Sequence, residues 1–166
     1  MINDGRERAC EDQPAEGRFA GSEHRFPLRV YFEDTDLSGI VYHANYLRFM
    51  ERARSDMLRL AGVDQRATME GGGGAYAVAR LSLRYLAPAK LDDALLVVSR
   101  LTSVHAAHVV IHQRVMRGDA ILTEAEVVAA LVAPDGRPRR QPAEWIARYK
   151  ELLDKELLGQ GDLPVT

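Results

Sequence analysis

The sequence predicts an α+β fold in which an antiparallel sheet covers a long helix. An alternating strand-like run comes first, an amphipathic helical stretch follows, and four strand-length segments then come in series. Short connections separate the last three segments, which is typical of antiparallel neighbours. A helix between one strand and a run of strands buries its apolar stripe most simply against one face of their sheet.

The composition fits one domain and excludes several classes of protein. A chain of 166 residues is about one domain by length. Lysine and arginine number 22 and acidic residues 24, a net charge of −2 that does not suggest a nucleic-acid or membrane-surface binder. Cys10 is the single cysteine, so no intramolecular disulfide is expected. Because we find neither a signal-like start nor a long apolar run, the default expectation is a cytoplasmic protein without a transmembrane segment.

The first elements can be placed in order from the pattern. Residues 1–24 are polar and aperiodic, so we expect a disordered tail followed by a single domain over residues 25–160. The first strand is predicted at residues 28–33, because Leu28, Val30 and Phe32 alternate with polar residues there.

A long helix follows a turn at residues 34–39. Apolar residues recur at helical spacing from Tyr46 to Leu60, and charged residues fill the rest of its surface. Gly62 is placed to cap its C-terminal end. The four glycines at 71–74 then form a connection that is too flexible for a regular element.

Four more strands and a last helix complete the prediction. The strands are expected at residues 75–86, 94–103, 108–116 and 120–132, which makes the antiparallel sheet five-stranded. An additional C-terminal helix is expected from Pro142 to Gly159. Trp145 and Tyr149 lie on one stripe of it and are expected to pack in the core or against another subunit.

The chemistry is concentrated between the first strand and the long helix. Three carboxylates, a glycine and a histidine fall within eleven residues: Glu33, Asp34, Asp36, Gly39 and His43. The start of a helix favours a negative charge that forms on a substrate oxygen. A carboxylate beside such a helix start suits attack on a carbonyl group.

Two alternatives compete with a catalytic role for this turn. Asp34, Asp36 and Gly39 match the first half of a calcium-binding EF-hand loop, but the twelfth position is Asn45, which cannot supply a bidentate carboxylate. We therefore expect no metal here. The other alternative is that Asp34 and Asp36 only shape the turn by bonding to their own backbone.

Two separated motifs resemble one known family. The first is Asp34-Thr35-Asp36-x-x-Gly39-x-Val41-Tyr42-His43-Ala44-x-Tyr46, followed by Phe49 and Glu51-Arg52-Ala53-Arg54. The second is Tyr85-x-Ala87-Pro88-Ala89-x-Leu91-Asp92-Asp93. Together they resemble the hotdog-fold acyl-CoA thioesterases of the 4-hydroxybenzoyl-CoA thioesterase type, and within them the branch associated with the Tol-Pal system. The similarity covers roughly residues 27–133 and implies that the sheet wraps the long helix.

The resemblance also implies roles for single residues. Asp36 matches the catalytic carboxylate, acting as a nucleophile or as a general base on water. The backbone N–H groups of Tyr42, His43 and Ala44 would polarise the thioester carbonyl. The His43 ring could orient water or help the thiolate leave, or only its backbone could matter. Asp34, Gly39 and Glu51 are expected to support the site, and Glu51 could share a helix face with His43.

Binding of the coenzyme A phosphates is less well defined by the sequence. Members of the family often use a cation in the turn before the penultimate strand, but here residues 104–108 carry none except His105 and His108. No third ligand makes these histidines a metal site. Phosphate binding is then expected from the partner subunit or from one of four cations: Arg84, Lys90, Arg100 and Arg114. Otherwise coenzyme A binds weakly, and the natural substrate is another thioester, such as that of acyl carrier protein.

The residues and the resemblance together indicate an acyl-CoA thioesterase that needs no cofactor and works as a homodimer, often a dimer of dimers, with its site at the subunit boundary. Two alternatives remain. A hydratase or dehydratase acting on hydroxyacyl thioesters would need a histidine and carboxylate pair, which Asp36 and His43 could supply. A non-catalytic accessory protein of the cell envelope would bind acyl thioesters without turnover.

Overall fold

The computed structural model describes residues 13–159. In that range the strands are β1 (Arg18–Ala20), β2 (Glu23–Arg29), β3 (Ala75–Tyr85), β4 (Ala94–Val104), β5 (His108–Arg117) and β6 (Ala120–Val132). The α-helices are α1 (Asn45–Leu60), α2 (Gln65–Glu70) and α3 (Ala143–Gly159). A 3-10 turn, Phe32–Asp34, precedes the loop that leads to α1.

All six strands form one antiparallel sheet in the order β1-β2-β4-β5-β6-β3. The eleven-residue β3 lies at one edge and, within residues 13–159, pairs only with β6. The other edge is the three-residue β1. The sheet thus has one short edge and one long edge, and the long edge ends beside the start of α1.

The α+β class and the sheet that covers a long helix are confirmed, but the sheet has six strands and not five. The additional strand β1 and the start of β2 fall within residues 18–24, so the predicted boundary of the domain at residue 25 is too late. Gly21, at a φ of +61°, turns the chain between them. Three residues are too few to show a period, which is why the pattern did not reveal β1. Residues 1–12, with Cys10, and residue 160 lie outside the described part of the chain.

The first predicted strand is also displaced. β2 ends at Arg29, and the chain then bends into the 3-10 turn because the Asp34 carboxylate accepts a hydrogen bond from the Tyr31 amide at 2.8 Å. Local bonds of this kind compete with strand pairing. Val30 is buried as predicted, but Phe32 is 81% exposed and does not join the core.

The predicted long helix is confirmed as α1, and it lies on the inner face of the sheet. Its apolar stripe is buried against β2, β4, β5 and β6, with Tyr46, Phe49, Met50 and Ala53 in the same cluster as Val97 and Val127 of the sheet. Gly62 caps the helix at a φ of +81°, as expected.

The last helix, α3, covers the remaining part of the inner face. Trp145 and Tyr149 pack with Met57 of α1 and with Ile111 and Leu131 of the sheet, so their stripe belongs to the core. No described helix combines the length and apolarity needed to cross a membrane.

Candidate active site

The site is built on the loop between the 3-10 turn and α1. This loop closes on itself, because the Asp36 amide donates to the Ile40 carbonyl at 3.1 Å and the Gly39 amide donates to the Asp36 carbonyl at 3.0 Å. Gly39 has a φ of +79°, a conformation that favours glycine. Gly39 therefore shapes the turn that carries Asp36, and its supporting role in the site stays a prediction.

Asp34 is a structural residue of this loop. Its buried carboxylate bonds to the Tyr31 amide, and its carbonyl oxygen accepts from the Tyr42 amide and the Asn45 side chain, each at 2.9 Å. These bonds tie the 3-10 turn to the start of α1. The alternative that this aspartate shapes the turn therefore agrees with its contacts.

Asp36 is exposed, and only part of its carboxylate is committed. Its Oδ1 atom accepts from the Ser38 amide at 2.8 Å and from the Ser38 hydroxyl group. These two bonds hold the pKa of Asp36 below its ordinary value, and the charge of nearby His43 acts in the same direction. Among the hydrogen bonds of the described residues none involves Oδ2, so an ionised oxygen is left for chemistry.

His43 lies two residues before α1 begins, with its ring open to solvent. The ring centroid is 4.5 Å from that of Tyr42 and 6.3 Å from that of Tyr85. Within the described part of the chain its ring nitrogens have no hydrogen-bond partner, whereas its carbonyl oxygen accepts from the Tyr85 hydroxyl at 2.9 Å. The imidazole is therefore available to orient water or transfer a proton.

The structure narrows the set of possible oxyanion donors. The amide of Tyr42 is engaged with the Asp34 carbonyl, so the expected donation from Tyr42 to a substrate is wrong for this conformation. The backbone amides of His43 and Ala44 have no acceptor among the described residues. Those two groups remain as candidate donors at the start of α1.

An apolar cleft opens beside these groups. Its lining comes from the loop, the first turn of α1 and the segment after β3: Ile40, Val41, His43, Tyr46, Tyr85, Leu86, Ala87 and Pro88. The two sequence motifs meet here, because the Val41 amide donates to the Ala89 carbonyl and the Ala89 amide donates to the Tyr46 hydroxyl, both at 2.9 Å. The arrangement sets an apolar surface next to His43, in the loop that also carries the Asp36 carboxylate and the free amides.

The Glu51 side chain does not contact His43 among the described residues. Its carboxylate pairs with the Arg54 guanidinium, and it lines a different cavity together with Tyr76 and Val78. The expected support of His43 by Glu51 is therefore not seen. Helical spacing predicted that Glu51 and His43 share one face of the helix. The Glu51 side chain instead pairs with Arg54, three residues further along the helix.

Three of the four candidate cations lie on the outer face of the sheet. Gln113 reaches the Met50 carbonyl of α1, so its neighbour Arg114 points outward. Arg84 and Arg114 both stand opposite Glu124, and Arg100 stands opposite His112 on the same outer face. Lys90 is different, because it pairs with Ile40 of the loop. Only Lys90 of these four lies next to the candidate site.

Sequence reasoning missed the roles of Ser38, Tyr46 and Tyr85. Tyr85 is the first residue of the second motif, and this position was the one sign in the sequence that it belongs to the site. Elsewhere, the His105 and His108 rings stack with centroids 4.3 Å apart. The part of the chain that the structure describes contains no cluster of three or more potential metal ligands.

Comparisons with known proteins agree with this geometry. A family model described as the thioesterase superfamily matches residues 38–124. The acyl-CoA thioester hydrolase YbgC of Escherichia coli is 41% identical over 129 residues, which cover 76% of this chain and 96% of the relative. A probable thioesterase from Bartonella henselae is 36% identical and has a TM-score of 0.68, covering 72% of this chain and 99% of that one.

A 1,4-dihydroxy-2-naphthoyl-CoA thioesterase from Synechocystis shares the fold at 22% identity, with a TM-score of 0.71 over 77% of this chain and 96% of that one. The hotdog arrangement that the resemblance implied is thus confirmed. The family match includes His43 and Tyr85, and the YbgC relative aligns over nearly its whole length. This chain belongs to the thioesterase superfamily.

Proposed function

We propose that this protein hydrolyses acyl-CoA thioesters to a free acid and coenzyme A. The observation that carries the proposal is the loop from Asp36 to Ala44, which holds an ionised carboxylate oxygen, an open imidazole and two amides without acceptors among the described residues. Ile40, Val41 and His43 of this loop line an apolar cleft. The similarity to an acyl-CoA thioester hydrolase supports the same substrate class. No bound metal or cofactor is needed for these groups to act.

The proposed chemistry divides between three groups. Asp36 attacks the thioester carbonyl to form an acyl anhydride that water then opens, or it removes a proton from the water that attacks. The amides of His43 and Ala44 stabilise the oxyanion that forms. The C–S bond breaks easily because a thiol with a pKa of about 8.5 is a good leaving group. The His43 ring is placed to protonate the thiolate or to orient water.

We propose that two copies of the chain form a homodimer through β3. Two such dimers could associate further into a tetramer. In the part of the chain that the structure describes, β3 pairs with another strand on one side only, and its Val78 and Leu81 are 49% and 38% exposed. A long, apolar and unpaired edge strand is normally covered by another element. Antiparallel pairing with the same strand of a second copy would cover it about a two-fold axis. Tyr85 at the end of β3 would then lie near the subunit boundary.

We place this reaction in the cytoplasm, because acyl-CoA is a metabolite of the cell interior. Lys90 is the cation favoured for contact with the coenzyme A phosphates, since it lies beside the loop. The resemblance to the Tol-Pal-associated branch suggests a physiological context in envelope maintenance.

Thiol release from a panel of acyl-CoA esters tests the activity. The panel runs from acetyl to palmitoyl, includes benzoyl-type esters, and has acyl carrier protein thioesters as a separate arm. We expect the wild type to turn over one acyl class and Asp36→Asn to lose at least about a hundredfold, the usual contribution of a positioned acid or base. Glu33→Gln is the matched control, because Glu33 is an exposed carboxylate in the 3-10 turn just before this loop and the variant should keep its activity.

Two results would contradict the proposal. Absence of thiol release from every coenzyme A ester would exclude acyl-CoA as substrate, and release from the carrier-protein arm alone would reassign it. If Asp36→Asn kept the wild-type rate while the wild type was active, the assignment of Asp36 would be wrong and the activity would stand.

A further inference from the structure

We propose that Tyr85 is a positioning residue of the oxyanion site and that its hydroxyl group acts through the peptide between His43 and Ala44. This inference rests on the proposed function and extends it to a residue outside the loop. Tyr85 is the last residue of β3, and its hydroxyl group donates to the His43 carbonyl at 2.9 Å across 42 residues of sequence.

The geometry of a peptide unit connects this bond to the oxyanion site. The His43 carbonyl and the Ala44 amide belong to the same planar unit, in which the C=O and N–H bonds point in opposite directions. A hydroxyl group that fixes the direction of the carbonyl therefore also fixes the direction of the N–H. The Ala44 amide is one of the two candidate donors that have no acceptor among the described residues.

The same bond strengthens the donor electronically. Hydrogen bonds in a chain polarise one another, so donation to the His43 oxygen makes the Ala44 N–H a better donor. The benefit is largest when the substrate oxygen carries a full negative charge. Tyr85 should therefore stabilise the transition state more than the bound thioester, which raises kcat more than it changes KM.

The tyrosine is held in place from several sides. Its ring centroid lies 5.7 Å from that of Tyr46, whose own hydroxyl group accepts from the Ala89 amide at 2.9 Å. The next two amides, of Leu86 and Ala87, donate to the Leu122 carbonyl at 2.8 and 3.1 Å. A residue fixed in this way can impose a direction on the His43–Ala44 peptide.

A simpler role for Tyr85 is that its ring only forms a wall of the cleft. Two substitutions separate these roles. Tyr85→Phe keeps the ring and removes the hydroxyl, whereas Tyr85→Leu removes both. Ser82→Ala is the control, because Ser82 lies on the same strand but borders the outer face of the sheet.

We expect Tyr85→Phe to lower kcat about tenfold with KM within about twofold of the wild type. Loss of a whole oxyanion donor costs about a hundredfold or more, and here the donor stays but loses its orientation. Tyr85→Leu should lose at least as much, and Ser82→Ala should match the wild type. If Tyr85→Phe keeps the wild-type kcat while Tyr85→Leu loses activity, the ring is what matters and the inference is wrong.

A second readout does not depend on turnover. In a proton–nitrogen correlation spectrum, the Ala44 amide signal should move in Tyr85→Phe, because its peptide loses a hydrogen bond, and should stay in place in Ser82→Ala. An unchanged Ala44 signal would overturn the inference. If the wild type releases no thiol, the proposed function fails and this spectrum still decides whether Tyr85 controls the peptide.

Discussion

Asp34 and Asp36 lie two residues apart, and their contacts give them different tasks. The Asp34 carboxylate is buried and its Oδ2 atom accepts from the Tyr31 amide, while its carbonyl oxygen accepts from the Tyr42 amide and the Asn45 side chain, so this residue holds the turn together. The Asp36 carboxylate is exposed and bonds to Ser38 through one oxygen only. One aspartate thus holds the shape of the turn, and the other keeps a carboxylate oxygen exposed to solvent.

The bond from the Ser38 hydroxyl to Asp36 predicts a change in the pH dependence of activity. This bond stabilises the carboxylate and lowers the pKa of Asp36. In Ser38→Ala the ionised form loses that support, so the pKa rises towards the usual value for aspartate, about 3.9. Activity that needs ionised Asp36 should then be lost at a higher pH on the acid side. The pKa should rise only part of the way, because the Ser38 amide still donates.

The measurement is kcat/KM against pH, which reports the free enzyme. Glu33→Gln serves as the control and should leave the acid limb in place, since Glu33 lies outside this hydrogen-bonded group. If Ser38→Ala leaves the limb where it is in the wild type, ionisation of Asp36 does not limit the reaction.

The motifs predicted the positions of single site residues where contacts within the loop fix them. They did not predict contacts with residues farther along the chain. Asp36, Gly39 and His43 lie together in the loop as the sequence suggested. The engagement of the Tyr42 amide could not be predicted, because it depends on the position of a carbonyl eight residues earlier once the chain has turned back. The pairing of Glu51 with Arg54 was missed for a similar reason, since spacing alone does not select a partner.

At the scale of elements, the loop is held by the segment that follows β3. Ile40 pairs with Lys90, and the Val41 amide bonds to the Ala89 carbonyl. The second sequence motif therefore acts as a support for the first. This contact explains why two stretches about forty residues apart carry one joint signature.

The turn at Gly39 allows stability and activity to be separated. Gly39 at a φ of +79° and Gly21 at +61° both have open space where a Cβ atom would stand. Gly39→Ala and Gly21→Ala should each lower the free energy of unfolding by about 1 to 2 kcal/mol, the cost of a left-handed conformation. Only Gly39→Ala should also lower kcat, because only that turn presents Asp36.

Denaturant unfolding and thiol release, measured on both variants, check this expectation. Gly21→Ala lies in the hairpin between β1 and β2 and serves as the matched control for backbone strain. Equal losses of activity in the two variants would mean that strain anywhere in the domain affects turnover, and the special role of the Gly39 turn would be contradicted.

The elements that the sequence predicted well are those in which the apolar pattern repeats over many residues. α1 and the four later strands were predicted because their apolar residues repeat over ten or more positions. The six-residue α2 was missed, since its start depends on the Asp64 side chain accepting from the Ala67 amide and not on an apolar stripe. Short elements such as β1 and α2 contain too few residues to show an apolar pattern, and a single cap or strand pairing holds them.

For the whole molecule, the apolar surface that the described residues leave exposed is concentrated around the site and along β3. Most of the large apolar side chains exposed among the described residues lie there: Tyr31, Phe32, Leu37, Tyr42, Val78, Leu81, Tyr85, Leu86 and Leu91. Patches of this kind mark sites of association or ligand binding. A second subunit on β3 would cover this surface and enclose the cleft at once.

Leu81→Lys tests that arrangement, because a lysine on an edge strand opposes pairing with another strand. If two copies pair through β3, the variant should elute as a monomer and lose at least about tenfold in kcat/KM, or about 1.4 kcal/mol of transition-state stabilisation. Met69→Lys is the matched control, since Met69 is also an exposed apolar residue but lies on α2. Light scattering gives the mass, thermal unfolding confirms that each variant is folded, and thiol release gives the activity. A Leu81→Lys variant with the mass and turnover of the wild type would remove β3 from the subunit interface, whereas a monomer with full activity would show that one subunit holds the complete site.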